Sequence, residues 1–212
     1  MERNIYLHAI NATLGDTYPT IETYHILCKI LKCRALLSSR LQRKFSTDGF
    51  NGRDYISLCD YAKKDIEKGE DGKYNAFHTY IRYSLSLVFP KDELSVIEPT
   101  ILSDVYPVDK EGFMKMKKFG EIKGDRRFTD MPDEVQVKNK VPLTSMSALT
   151  YPTHLSIDEE LGMGATIAKI MMDLESINKA LDRFGYDVPI YDIDTFEKLD
   201  SSSSVRMLLK NK

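Results

Sequence analysis

Asp133-Glu134-Val135-Gln136-Val137-Lys138-Asn139-Lys140-Val141-Pro142 carries the clearest structural signal in this chain. Polar and apolar residues alternate from Glu134 to Lys138, which is the two-residue period of a β-strand. The three polar residues of this run therefore share one face of the strand, and the two valines share the other. Because proline has no backbone N–H, we expect Pro142 to end the ladder. The alternation predicts a half-buried strand that opens with a glutamate.

Outward from this strand, the pattern predicts further strands and two helices. Short apolar runs rich in β-formers predict strands at residues 4–10, 54–59, 84–89 and 188–193. One helix begins at the capping residue Thr20 and ends near residues 35–37, and a second runs to Gly185 as its C-cap. Residues 91–130 are broken repeatedly by proline and glycine, which predicts a loop-rich region. The mixture predicts the α+β class.

Length and composition limit the architecture and the location. The chain has 212 residues, of which 42% are hydrophobic and 29% charged, typical of one folded domain. We expect a single domain over residues 1–200 and a loose C-terminal tail over residues 201–212. No apolar run reaches the roughly 18 residues of a membrane span, and the N-terminus lacks the apolar stretch of a signal peptide. The expected location is the cytoplasm, or a target cell reached without a cleavable signal peptide, and no membrane partner is expected.

Three cysteines, an odd number without the CxxC spacing, argue against a disulfide framework and a four-ligand zinc site. We therefore expect no metal. The phosphate-binding glycine loops and the zinc-protease and serine-hydrolase motifs are absent as well. Considered singly, His8 on the first strand and Ser57 on the second are ordinary half-buried strand residues.

Charge is unevenly placed along the chain. Residues 23–47 contain six Lys or Arg and no acid, whereas residues 156–200 contain eleven acids and four bases. The net charge of −2 argues against wholesale binding of a polyanion. The basic segment fits either a phosphate-bearing ligand or a solvated helix face, and charge alone favours the solvated face.

The order of four short motifs resembles the ADP-ribosyltransferase superfamily, in its histidine-type branch of bacterial toxins and effectors, and is similar in pattern to the DarT group. The motifs are Leu7-His8-Ala9-Ile10, Ile30-Leu31-Lys32-Cys33-Arg34-Ala35-Leu36-Leu37, Tyr55-Ile56-Ser57 and the glutamate strand at 133–142. The resemblance spans nearly the whole chain, although each motif is short. It implies an α+β fold in which two small mixed or antiparallel sheets form an NAD cleft with flanking helices.

The resemblance also implies roles for individual residues. Glu134 would be the catalytic carboxylate. His8 would form a hydrogen bond to the ribose on the adenosine side of NAD. The backbone of Ala9 would hold the nicotinamide amide, beside Ser57, Tyr55 and a stacking face on Tyr61. Arg40 would pair with the diphosphate or the transferring group, a role for which Arg43 and Arg53 compete.

The implied activity is transfer of ADP-ribose from NAD to a macromolecular acceptor, a protein or a nucleic acid, with an antitoxin or a host target as partner. Residues 124–132 include Arg126, Arg127 and Phe128. These residues could contact a nucleic acid base or an acidic protein patch, and they would equally suit a solvated loop. Pro132 stands where related toxins carry Glu or Gln, and Tyr55-Ile56-Ser57 replaces a Ser-Thr-Ser triplet, so the acceptor is not specified. An NAD glycohydrolase and a non-enzymatic nucleotide-binding module on the same fold are the alternatives.

Overall fold

A computed structural model describes residues 4–10, 20–38, 41–42, 55–61, 81, 84–96, 134–156 and 162–200. Within these ranges lie two long helices, α1 (Ile21–Cys33) and α2 (Gly162–Phe184). The strands are β1 (Ile5–Ala9), β2 (Ala35–Leu37), β3 (Tyr55–Asp60), β4 (Ser86–Pro90), β5 (Glu134–Lys138), β6 (Lys140–Pro142), β7 (Ala148–Tyr151) and β8 (Ile190–Asp192). One sheet has the order β5-β3-β1-β4-β7-β8, and β2 pairs with β6 in a second sheet. The expected α+β character is confirmed, although the two sheets differ in size.

The chain divides into two compact units. The first unit takes in residues 1–8, 35–79 and 89–145, and the second takes in residues 9–34, 80–88 and 146–212. The expectation of one catalytic domain over residues 1–200 stays a prediction. In the described residues, no helix has the length and apolar character needed to span a membrane.

The first unit is built on the antiparallel ladders that β3 makes with β1 and β5. The β3–β5 register pairs Tyr55 with Lys138 and continues to the pair Cys59–Glu134. Tyr55, Ser57 and Cys59 share one face of β3. On the opposite face, Ile56 and Leu58 are buried beside Val137 and Val135 of β5. Burial of these aliphatic side chains on one face fixes the register, because a slip by one residue would move them to the opposite face.

The second unit packs α1 against α2. The Thr20 side chain caps α1 by accepting a hydrogen bond from the backbone N–H of Thr23. The Thr23 hydroxyl in turn accepts a hydrogen bond from the backbone N–H of Thr20, which completes a capping box. The α2 helix ends at Phe184 and is followed by Gly185, whose φ of 75° lies in the left-handed region that glycine favours. Tyr186 N–H then donates to the Leu181 carbonyl over 3.0 Å, which completes a Schellman motif. Both predicted caps are therefore confirmed.

The end of α1 differs from the prediction. The helix stops at Cys33 because Arg34 takes a left-handed conformation with φ 54°, and the next three residues form β2. Ala35 and Leu36 are buried where β2 pairs with Val141 and Pro142 of β6. Pairing with a segment far along the chain overrides the local helical pattern, since strand formation depends on tertiary context.

Two further differences concern the neighbourhood of Pro142. The ladder of β5 ends at Asn139, with φ 65°, and not at Pro142, which is the last residue of β6. After it, Ala148–Tyr151 form β7, a strand that the sequence pattern did not predict. All four of its residues are buried, so it shows no alternation that would identify it.

Candidate functional site

Three neighbouring strands of the first unit carry most of the predicted site residues. Leu7 of β1 pairs with Cys59 of β3, and Cys59 pairs in turn with Glu134 of β5. The three residues form one row across the sheet, so the backbone at 134 lies about 10 Å from that of Leu7 at two strand spacings. His8 is the next residue along β1. Tertiary structure thus brings the first strand and the glutamate strand to the two sides of β3.

His8 contacts β3 through its ring. Nδ1 of His8 lies 2.9 Å from the backbone carbonyl oxygen of Ser57. Because a carbonyl oxygen only accepts hydrogen bonds, Nδ1 carries the proton and donates it. The imidazole is thereby oriented, and its Nε2 has the lone pair of an acceptor.

The surroundings of His8 favour its neutral form. Burial lowers the pKa of His8 from its usual range because it disfavours the imidazolium, and the bond to the Ser57 carbonyl offsets this only in part. At neutral pH the ring is therefore uncharged, with Nε2 able to accept a hydrogen bond from a hydroxyl group. A ribose hydroxyl is a donor of that kind.

The face of β3 that carries Ser57 is polar and covered. Ser57 is half-buried and stands opposite Gln136, whose side chain is only 2% exposed. The half-buried Tyr55 follows two residues earlier on the same face, opposite the exposed Lys138. Hydroxyl and amide groups at these positions can donate and accept hydrogen bonds, which suits an uncharged polar ligand such as a carboxamide or a sugar.

The remaining predicted contacts differ in accessibility. Ala9, at the end of β1, is half-buried, and Tyr61, directly after β3, is only 4% exposed. The backbone N–H of Tyr61 donates to the Ile5 carbonyl over 3.1 Å, which ties the residue to β1. A ring with so little exposed area offers a ligand little surface to stack on, so Tyr61 has the weakest geometric support among these residues.

Several predicted residues lie wholly or partly outside the described part of the chain. For Glu134 the structure describes the strand and its register but not the side chain. Arg40, its competitors Arg43 and Arg53, and the acceptor segment 124–132 lie outside the described residues. Their roles stay predictions.

Two features of the first unit were not predicted from the sequence. The alternation of β5 places Gln136 on the polar face of the strand, and the structure buries this residue. The second feature is a cluster in which Lys91 Nζ lies 2.5 Å from Asp60 and 5.3 Å from the ring centroid of Tyr6. Burial and the Asp60 charge raise the pKa of Tyr6. The strand alternation contains no signal for the burial of Gln136, and sequence spacing contains none for the lysine cluster.

No group of three or more histidine, cysteine, aspartate or glutamate residues suited to hold a metal ion is found in the described ranges. All three cysteines are free thiols: Cys59 is buried, Cys28 half-buried and Cys33 exposed.

Comparison with known proteins gives little beyond this geometry. No protein-family model matches the chain, and no curated protein matches it. Among solved structures, the chain is similar to "Thermus sp. 2.9 DarT in complex with carba-NAD+". The two are 12% identical with a TM-score of 0.42, over 91% of this chain and 96% of that chain. A likeness this weak carries no argument about function, which must come from the residues themselves.

Proposed function

We propose that this protein is an NAD-dependent ADP-ribosyltransferase that transfers ADP-ribose to a protein or nucleic acid and releases nicotinamide. One observation carries the proposal. The row Leu7–Cys59–Glu134 brings the glutamate strand to within two strand spacings of β1, where His8 is held by its bond to Ser57. Residues separated by most of the chain length thus converge on one three-stranded segment.

The proposed reaction breaks the bond between the nicotinamide nitrogen and the ribose carbon. The electron pair of that bond leaves with nicotinamide, and the ribose carbon becomes an oxocarbenium-like centre with positive charge. A preorganised carboxylate stabilises a developing cation more than it stabilises the ground state, which lowers the barrier. Glu134 would supply this carboxylate and hold the ribose 2-hydroxyl. The acceptor nucleophile then forms the new bond to the ribose carbon and gives up its proton.

His8 would bind the other end of NAD. Its neutral ring has Nδ1 committed to the Ser57 carbonyl, so Nε2 would accept a hydrogen bond from the adenosine-side ribose. Ser57 and Tyr55, on the covered polar face of β3, would line the nicotinamide site, and the backbone of Ala9 would bind the carboxamide. Arg40 would meet the diphosphate, where an arginine forms two parallel hydrogen bonds to phosphate oxygens.

The biological setting is part of the same proposal. The motif pattern supports a bacterial toxin or effector with an antitoxin or host target as its partner. Residues 124–132 would read the acceptor, since they directly precede the catalytic strand. Arg126 and Arg127 beside Phe128 suit either a nucleic acid base or an acidic protein surface.

Incubation of the full chain with NAD tests the proposal directly. We expect release of nicotinamide and, with labelled NAD and a cell lysate, label on a macromolecule. Loss of the label on protease treatment would identify a protein acceptor, and loss on nuclease treatment a nucleic acid. Nicotinamide release without labelling would identify a glycohydrolase instead. A folded protein that binds NAD without releasing nicotinamide would be a binding module, and transfer would be ruled out.

A further inference from the structure

The second unit has an exposed apolar groove on α2. It has a volume of about 430 Å³ and an apolar lining of Met171, Met172, Leu174 and Leu199. Met171 is 41% exposed and Met172 67% exposed, although α2 already buries another side through Ile170 and Ile177. Exposed apolar patches on soluble proteins mark interaction sites, and the flexible methionine side chain adapts to varied partners. We call this surface the methionine groove.

Charge around the methionine groove is acidic. Asp182 and Asp200 are among the lining residues, together with Glu175 and Lys179. Nζ of Lys179 lies 2.6 Å from Glu175, so these two charges offset each other. The exposed Asp182 adds a negative charge beside the apolar floor. A fitting occupant therefore has apolar side chains flanked by positive charge.

The chain itself contains such a segment. Residues 201–212 read Ser-Ser-Ser-Ser-Val-Arg-Met-Leu-Leu-Lys-Asn-Lys, with four large apolar residues, three bases and no acid. They follow directly on Leu199 and Asp200, which line the groove. The groove runs along α2 from Met171 to Asp182, about 17 Å at the helical rise. Twelve residues span up to about 40 Å when extended, so the segment is long enough.

We propose that residues 205–212 bind in the methionine groove of the same chain, with the serines at 201–204 as the connection. The apolar residues of the segment would cover Met171 and Met172, and its bases would face Asp182. A short tether strengthens this contact, since it gives the segment an effective concentration in the millimolar range. The region predicted as a loose tail would thus have a binding site of its own.

Oxidation of Met172 by dilute peroxide, followed by peptide mass spectrometry, measures whether the groove is covered. We compare the full chain with the double variant Leu208→Asp and Leu209→Asp. If the uncovered form holds about 10% of the molecules, the double variant should oxidise at Met172 about tenfold faster than the full chain. The control, Ser202→Asp with Ser203→Asp, adds the same charge outside the apolar residues and should keep the slow rate. Equal rates in all three proteins would overturn the proposal.

Cross-linking identifies the occupant. A photoreactive amino acid at Asn178, a lining residue, should cross-link to residues 205–209, whereas one at Ser176, exposed on α2 but outside the lining, should not. A mixture of light and isotopically heavy protein distinguishes one chain from two. Light–light and heavy–heavy products support the proposal. Light–heavy products would show that the segment of a second copy occupies the groove. An absence of cross-linked products would show that the segment does not contact the groove. Either result would contradict the proposal.

Discussion

Half-buried polar groups have different roles in the two units of this protein. In the second unit, Asp173 of α2 accepts hydrogen bonds from Tyr24 over 2.8 Å, Tyr151 over 2.6 Å and Lys169 over 2.7 Å. In the first unit, His8 donates its one ring proton to a backbone carbonyl over 2.9 Å. The Asp173 carboxylate accepts from donors on three elements of its own unit. In His8, Nδ1 donates and Nε2 is the acceptor nitrogen of the ring.

This difference separates a structural polar group from a candidate functional one. Asp173 links α1, α2 and β7 of the second unit, and its two oxygens are occupied by three side-chain donors. Such a group stabilises the fold and has little remaining capacity for a ligand. His8 has one hydrogen bond that orients it and a second nitrogen suited to a hydroxyl donor. Substitutions at the two sites should therefore affect different measurements.

The largest effect is expected at Glu134 of the first unit. Glu134→Gln keeps the size of the side chain but removes the charge that faces the developing cation. We expect nicotinamide release to fall about a hundred- to thousandfold, with a much smaller change in NAD affinity. Steady-state kinetics and calorimetric titration measure the two quantities. Glu93→Gln, the same change at an exposed residue of this unit, is the control. If Glu134→Gln releases nicotinamide at the wild-type rate, the proposed function is wrong.

The corresponding change in the second unit should affect stability. Asp173→Ala removes the carboxylate that accepts from the half-buried Tyr24 and the buried Tyr151, and a buried donor left unsatisfied costs about 1–3 kcal/mol. We expect the free energy of unfolding to fall by about 2–4 kcal/mol in urea titrations. Asp187→Asn, on the exposed residue that follows α2, should change it little. An unchanged unfolding midpoint in Asp173→Ala would show that the three bonds are unimportant in solution.

His8→Ala should weaken NAD binding more than it weakens the fold. One hydrogen bond to a ribose hydroxyl contributes about 0.5–1.5 kcal/mol net, so the dissociation constant should rise about two- to tenfold. Calorimetry measures affinity and thermal unfolding measures stability, with His25→Ala on the exposed side of α1 as the control. Unfolding without a separate binding defect would place His8 among the purely structural residues.

The smallest effect is a pH dependence of stability that arises from His8. Its pKa is lowered in the folded protein, so between that value and the unfolded value of about 6.5 the unfolded chain binds more protons. The free energy of unfolding should therefore fall as the pH drops below about 6.5. NAD affinity should fall only at lower pH, below the lowered pKa of His8 in the folded protein, where Nε2 becomes protonated. Urea titrations from pH 8 to pH 5 should show a shallower slope in His8→Gln than in the wild type. Identical slopes would exclude His8 as the titrating group.

Local patterns predicted the elements with strong periodicity or clear caps. The alternation in β5, the threonine cap of α1 and the glycine after α2 are encoded within a few residues, and the structure has all three. The short strands β2, β6 and β7 could not be found in this way. Their residues become strands through pairing with distant segments, and β2 even extends the apolar pattern of the preceding helix.

The candidate site divides in the same way. The resemblance carried by the order of the short motifs pointed to His8, Ser57 and Glu134, whereas His8 and Ser57 considered singly are ordinary strand residues. Their convergence on β1, β3 and β5 comes from strand pairing, which joins residues far apart in the chain. The tautomer and lowered pKa of His8 and the burial of Gln136 likewise exist only in the folded chain. Sequence by itself determined which chemical groups are present and the period of their strands. Tertiary structure decided their neighbours, because desolvation and hydrogen bonding depend on distances that no local pattern encodes.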